Sequence, residues 1–392
     1  MTKLRLDPAT TLPADGTAGT LVGRAWLPDV EGPAVVAVRA DGLYDVSRAF
    51  PTVRDLAEAR DPAAAVAPVE GKRIGALADV LANTPEAGRD QTKPWLLAPV
   101  DLQAIKAAGV TFAQSLLERV IEEQARGAPE KAAAVRAEVE GALGGAVAGL
   151  VPGSPQAAEL KRLLQTKGLW SQYLEVGIGP DAEIFTKAPP MAAVGTGASI
   201  GILTQSTWNN PEPEIVLAVN ASGAIVGATL GNDVNLRDLE GRSALLLGKS
   251  KDNNASAAIG PFVRLFDSTF ALDDVRRAEV RLTVDGDDGF RLDATSAMAR
   301  ISRDPADLVA QMIGPHHQYP DGAVLYLGTM FAPVKDRDAP GQGFTHHAGD
   351  VVTIASEKLG ALVNVVTACD RAPPWRFGTA ALMRNLARRG LL

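Results

Sequence analysis

Glu212 and Glu214 stand at a spacing of i, i+2 at the head of an aliphatic run, Glu212-Pro-Glu-Ile-Val-Leu-Ala-Val219. In a strand, alternate side chains share a face, so both carboxylates point the same way. Two parallel carboxylates repel each other unless a cation or solvent lies between them. A third acid, Asp233, returns after the turn Asn220-Ala-Ser-Gly223 and a second strand-like run, Ala224-Ile-Val-Gly-Ala-Thr-Leu230. Three hard oxygen ligands with no Cys or His nearby suit Mg²⁺, Mn²⁺ or Ca²⁺ better than zinc. The competing reading is a solvated strand end, which is the ordinary fate of Glu-x-Glu. Pro211 and Pro213, which stiffen the backbone, and the polar run Asn232–Glu240, which starts beside Asp233, both favour a metal.

The hairpin needs β structure around it, and the sequence supplies it. Up to about residue 95, short β-like runs (21–26, 34–38 and 43–46) and a helical segment (52–59) end in a loop-like stretch, Asn83–Pro94. This predicts a small N-terminal domain over 1–95, followed by a larger domain over 96–392. From about 111 to 175 the chain turns rich in Ala, Glu, Leu and Lys, and 115–127, 129–150 and 154–166 read as helices. The glycines between 144 and 149 interrupt the second. Short strands resume from about 183 to 368, and 380–389 reads as a helix with cations in its last turn.

Composition narrows the function. Among 392 residues, 39 Lys and Arg against 46 Asp and Glu leave a net charge of −7, with no basic run. Nucleic acid and anionic membranes are therefore excluded as expected partners. No stretch approaches the roughly 18 apolar residues of a membrane span, and the N-terminus lacks a signal-type apolar region. The single cysteine, Cys369, reads as buried filler and suits a reducing cytoplasm. The four histidines form two adjacent pairs, His316-His317 and His346-His347. Adjacent side chains diverge, so neither pair chelates one ion as a helical i, i+4 pair does, and both read as loop residues. Gly195-Thr-Gly-Ala-Ser-Ile-Gly201 has the wrong spacing for a dinucleotide fingerprint and opens no helix, so it reads as a turn.

Five motifs in order, Phe185–Pro190, Pro211–Val216, Gly231–Asp238, Gly248–Asp252 with Ile259–Pro261, and Gly349–Val352, resemble the fumarylacetoacetate hydrolase superfamily over roughly residues 100–368. The resemblance implies an α+β fold, a β-rich mixed-sheet roll with a helical lid over 111–175. It implies a Mg²⁺ or Mn²⁺ on Glu212, Glu214 and Asp233, a small 2-oxo acid substrate chelated to it, and assembly as a homodimer or homotetramer. Members that hydrolyse C–C bonds carry Gly-x-Asn-Tyr-x-x-His-x-x-Glu at the lid start. Here the stretch is Gly109–Glu118, with Phe112 for Tyr, Ser115 for His and Glu118 retained.

This lid, the variant Gly231–Asp238 and the segment Tyr319–Thr329 look most like the 2-keto-3-deoxy-pentonate dehydratase branch. That likeness implies loss of water to give 2-oxoglutarate semialdehyde. A Lewis-acidic metal would acidify C3, a base would take its proton, and an acid would protonate the leaving C4 hydroxyl. Glu118 and Lys249 are the expected proton carriers. For Glu118 the alternative is a solvated helix face shared with Glu122, and for Lys249 an ordinary surface lysine. The family likeness places Lys187 beside the metal and Ser356 on the substrate carboxylate. Arg237 joins them unless it pairs with Asp238 or Asp252. A hydrolase or decarboxylase of 2-oxo acids, and more distantly a non-catalytic sugar-acid binding protein, are the alternatives.

Overall fold

A computed structural model of the chain describes residues 4–143, 149–166, 168, 170–329, 331, 333 and 335–392. Its strands are, in chain order, β1 Leu21–Leu27, β2 Gly32–Arg39, β3 Gly42–Asp45, β4 Lys72–Gly75, β5 Trp95–Leu97, β6 Ala104–Gly109, β7 Glu183–Ala188, β8 Ser199–Ile202 and β9 Asn209–Asn210. They continue with β10 Pro213–Val219, β11 Ile225–Asp233, β12 Asn235–Leu236, β13 Ala257–Leu265, β14 Glu279–Asp285, β15 Arg291–Ala297, β16 Ala323–Tyr326, β17 Val351–Ser356 and β18 Gly360–Ala368.

One large sheet runs β4-β3-β2-β1-β13-β11-β10-β16-β6-β7, with β5 also on β1, and a second runs β15-β14-β17-β18-β8. Both are mixed, because β16 pairs with β6 and β18 with β8 in parallel. This is the α+β, mixed-sheet architecture expected from the sequence. The alternation of β10 shows how it packs. Ile215, Leu217 and Val219 enter the core between the sheets with Val280, Leu282, Val352 and Ile354. Val216 lies on the other face with Ile105, Ile259 and Tyr326. The period of two thus frees one face of β10 for polar work.

The strands of residues 1–95 do not close on themselves. β1 pairs with β13, and Val22, Val35 and Val46 share a core with Val226 and Val263. The expected N-terminal unit and the body therefore share one sheet.

Among the described residues between β6 and β7 lie four helices, Ala113–Gln124, Pro129–Leu143, Pro155–Thr166 and Gln172–Ile178. They surround a core of their own, which includes Leu116, Val120, Ile121, Leu164 and Leu174 and takes Trp208 from the body. The end of the predicted helix 129–150, at residues 144–148, lies outside the described residues. The run Ala244–Leu247, inside the span read as short strands, is instead a 3₁₀ turn, Ala244–Leu246, feeding a short helix, Leu247–Lys251. The Ser243 side chain caps it by accepting from the Leu245 N–H, and Leu245 is 96% exposed. A leucine run with no neighbouring strand gains nothing from extension.

Candidate metal centre

The hairpin β10–β11 brings three acids together by register alone. Pro213 pairs with Asn232 and Glu214 with Gly231, and the Asp233 N–H donates to the Glu212 carbonyl at 3.0 Å. Glu212 therefore faces Asp233 directly, and Glu214 follows two residues on along the same face. The turn is locked by Asn220, whose Oδ1 accepts from the N–H groups of Ser222 and Ala224 at 3.1 and 2.9 Å. One oxygen from each of Glu212, Glu214 and Asp233 lies within 4.8 Å of the others, and all three residues are buried.

The backbone fixes Glu214 further. Gly328 N–H donates to Glu214 Oε2 at 2.6 Å. Gly328 has φ +94, and a Cβ there would overlap Thr111 Oγ1, so only glycine fits this turn.

Around the acids is a cavity of about 20 Å³, walled among others by Ser115, Arg119, Glu183, Glu240, Leu247, Lys251 and Thr329. Lys251 Nζ lies 2.6 Å from Glu212 Oε2 and 3.1 Å from Asp233 Oδ2. Lys187 Nζ, fully buried, lies 2.8 Å from Asp233 Oδ1 and donates to the Lys251 carbonyl at 2.8 Å. Arg119 reaches in from the lid to Glu212 Oε1 at 2.6 Å, Glu122 Oε2 at 2.7 Å and Glu240 Oε2 at 2.8 Å. At the end of β6, opposite Glu183 of β7, a Cβ on Gly109 would overlap the Glu183 carboxylate, so glycine makes the space that carboxylate occupies.

Electrostatics fit this set to a divalent cation. Five carboxylates (Glu183, Glu212, Glu214, Asp233 and Glu240) meet three cations (Arg119, Lys187 and Lys251), leaving two negative charges when all are ionised. Glu122, the further acid on Arg119, has Arg237 at 3.4 Å as a second partner. Burial, then the charges of Asp233 and Glu212, push the Glu214 carboxyl well above the usual range. Asp233 Oδ1 is buried with Lys187 Nζ at 2.8 Å, which holds its carboxylate charged. A hard divalent cation relieves the repulsion among the three carboxylates. Burial acts against the charge on Lys251, but Asp233, Glu212 and Glu240 outweigh it and hold the ammonium above its ordinary range. Glu183 moves the other way from an ordinary acid. Its enclosed position, and then the charge of Glu240, push it up to about 7.

Other expected residues sit elsewhere. Lys249 is exposed and does not wall the cavity; its helix turns it away and presents Lys251, two residues on. On a helix, i and i+2 lie roughly 200° apart, whereas a strand would have put both on one face. Ser356 ends β17 and lines a separate surface cleft with Thr10, Arg277 and Glu279.

Glu118 is buried but lies off the cavity wall, in a fork-to-fork pair with Arg136 of the second lid helix. The stripe Ser115, Arg119, Glu122, at i, i+4, i+7, takes the inward face instead. Arg237 pairs with neither Asp238 nor Asp252 in the described contacts. Its Nε donates to Asn210 Oδ1 at 2.7 Å, its Nη1 lies 3.9 Å from Glu118, and its guanidinium packs 5.5 Å from the Trp208 ring centre. Through Glu118 and Glu122 on one side and Asn210 and Trp208 on the other, it ties lid to body.

No histidine walls the cavity. His346 is buried on Asp350, with Nδ1 3.0 Å from Oδ2, while His347 reaches Asp288 and Asp338. Arg119, Glu183, Glu240 and Lys251 were not singled out from the sequence. Lys251 was within reach, as the second lysine of Gly248-Lys-Ser-Lys-Asp252, had that run been read as a helix.

Residues 176–367 match the model of the fumarylacetoacetate (FAA) hydrolase C-terminal family. A probable 2-keto-3-deoxyxylonate dehydratase of Haloferax volcanii is 32% identical over 195 residues, 50% of this chain and 63% of that protein. A 2-dehydro-3-deoxy-D-arabinonate dehydratase of Saccharolobus solfataricus is 30% identical over 189 residues, 47% of this chain and 58% of that one. The match thus spans less than two-thirds of either relative's length. In fold, a 2-keto-3-deoxy-D-arabinonate dehydratase complexed with magnesium and 2,5-dioxopentanoate superposes at a TM-score of 0.60, with 19% identity, over 89% of this chain and 99% of that one. The 5-carboxymethyl-2-hydroxymuconate delta-isomerase of Mycobacterium smegmatis reaches 0.51 with 18% identity, over 89% and 98%. The stretch that is similar to the fumarylacetoacetate (FAA) hydrolase C-terminal family, residues 176–367, takes in the acid hairpin, Glu183, Lys187 and Lys251.

Proposed function

We propose that the protein is a Mg²⁺-dependent hydro-lyase that dehydrates a 2-keto-3-deoxy-pentonate, of the xylonate or arabinonate type, to 2-oxoglutarate semialdehyde. The observation that carries this reading is the buried trio Glu212, Glu214 and Asp233, with Lys251 2.6 Å from Glu212 and Glu183 on the same cavity wall. The names of the two curated relatives, both dehydratases of such acids, support the substrate class. Mn²⁺ would suit the same oxygen set.

When bound, the metal supplies Lewis acidity that draws electrons from C2 of a chelated 2-oxo acid. The protein's own groups do the rest. Glu183, held near neutrality, takes a C3 proton as a general base. The Lys251 ammonium, kept charged by its carboxylate neighbours, stabilises the negative charge that develops on the C2 oxygen. The proton held by Glu183 passes to the C4 hydroxyl, which leaves as water, and a C3=C4 alkene forms. Loss of a C5 proton and return of one to C3 move the double bond to C4=C5, and that enol becomes the C5 aldehyde on protonation at C4. The net change is the loss of one water.

A His-activated hydrolytic water is disfavoured because Ser115, at the place of the lid histidine, walls the cavity and donates its hydroxyl to the Phe112 carbonyl at 2.9 Å. Incubation of the purified protein with Mg²⁺ and a panel of 2-keto-3-deoxy-pentonates tests the reading. Aldehyde without pyruvate is the expected product; pyruvate or carbon dioxide would overturn it in favour of cleavage or decarboxylation.

A further inference from the structure

The guanidinium of Arg119 is held unequally. Nη1 contacts two carboxylates, Glu122 at 2.7 Å and Glu240 at 2.8 Å, whereas among the described residues Nη2 is paired with Glu212, at 2.6 Å. Glu212 is itself doubly engaged, since Lys251 occupies its other oxygen. A cation shared by Glu212, Glu214 and Asp233 needs an oxygen of Glu212 and weakens that residue's pull on a second positive partner. Nη2 is therefore the side of the fork that can exchange partners while Nη1 keeps both of its own.

The elements differ as well. Lys187 and Lys251 belong to the body, on β7 and the helix Leu247–Lys251, and each already holds Asp233. Arg119 belongs to the lid helix Ala113–Gln124. A cavity of about 20 Å³ has room for an ion or a water and none for a five-carbon acid. Arg119 must therefore leave the cavity with the lid and return over whatever has entered.

We propose that Arg119 is the residue that recognises the substrate's carboxylate, its Nη2 exchanging Glu212 for a carboxylate oxygen of the bound 2-oxo acid as the lid closes. A planar guanidinium preset by two acids matches a carboxylate in a way that an ammonium does not. The exchange makes lid closure select anionic 2-oxo compounds over neutral ones of the same shape. This inference rests on the 2-oxo acid reading of the site.

The test compares pyruvate with its neutral analogue pyruvamide on the Mg²⁺-loaded protein, with dissociation constants from NMR titration of the wild type, Arg119→Gln and Arg119→Lys. The pyruvate-over-pyruvamide preference should fall roughly 10- to 100-fold in Arg119→Gln, the range for a hydrogen bond to a charged group, with partial recovery in Arg119→Lys. Because the readout is a ratio within one variant, a reduced folded fraction cancels from it. An unchanged ratio in Arg119→Gln, with both ligands weakened alike, would make Arg119 a lid latch only and overturn the inference while leaving the 2-oxo acid reading intact. A wild type that binds neither ligand would overturn both.

Discussion

Lys251 Nζ stands 2.6 Å from Glu212 Oε2, so the cation best placed to hold charge on a bound 2-oxo acid is paired to an acid of the metal trio. Lys249, two positions away across Ser250, is exposed. The pair gives a direct test. Lys251→Met should lower turnover roughly 10²- to 10³-fold, the share of one preorganised electrostatic contact, and Lys249→Ala should leave it within about twofold. Steady-state kinetics on both variants decide it, and equal losses would contradict the geometry.

Glu212→Ala, Glu214→Ala and Asp233→Ala should each weaken Mn²⁺ binding by about two orders of magnitude, because hard-oxygen sites lose affinity steeply with ligand charge. Electron paramagnetic resonance of free Mn²⁺ measures it without reference to turnover. A variant that binds normally removes its residue from the ligand set.

The proton carrier separates two acids. Glu183→Gln should lower kcat roughly 10²- to 10⁴-fold while binding of pyruvate survives. Glu118→Gln, which loosens the clamp on Arg136, should act mainly through lid closure and raise KM more than it lowers kcat. As a base, Glu183 must be ionised, so kcat should rise with pH through an apparent pKa below about 7, since a nearby divalent cation favours the charged form. A profile that falls with pH over that range would assign Glu183 as an acid instead.

Lid closure has its own signature. Mg²⁺ with pyruvate should increase hydrogen-exchange protection in the helix Ala113–Gln124 and leave β10 and β11 nearly unchanged, because the strands are central in the large sheet. Equal changes in both would argue against a moving lid.

Stability should also respond to acid through His346. Burial, opposed by Asp350, holds its imidazole below the ordinary pKa. The unfolded chain therefore binds a proton that the folded one resists, and the contribution is present above about pH 6.5 and lost as pH falls below it. The drop in Tm from pH 7 to pH 5 should be shallower in His346→Asn; an identical slope would show that other groups carry the acid response.

The acid trio was legible in the sequence because a hairpin is a local object. Parity along Glu212-Pro-Glu214 and the turn at Asn220–Gly223 fix which side chains share a face before any distant contact forms. The lid helices were legible for the same reason, as composition and period are local too. Lys187 was placed beside Asp233 by family likeness, which carries tertiary information that spacing does not.

Lys251, Arg119 and Glu183 were decided by tertiary structure. A lysine-bearing run read as an extended continuation of Ala244–Leu247 aims Lys249 inward, and only the helix Leu247–Lys251 exchanges it for Lys251. Arg119 and Glu118 are neighbours in the chain, yet the docking of one helix against Trp208 and Glu240 sends the first to Glu212 and the second to Arg136. The sequence by itself determined the acid trio, because three acids on one face depend only on strand parity and a turn. Which cations and further acids surround that trio was decided by the fold, because Arg119, Glu183 and Lys251 lie outside the hairpin, on β7 or on helices whose rotation is set by packing against the rest of the molecule.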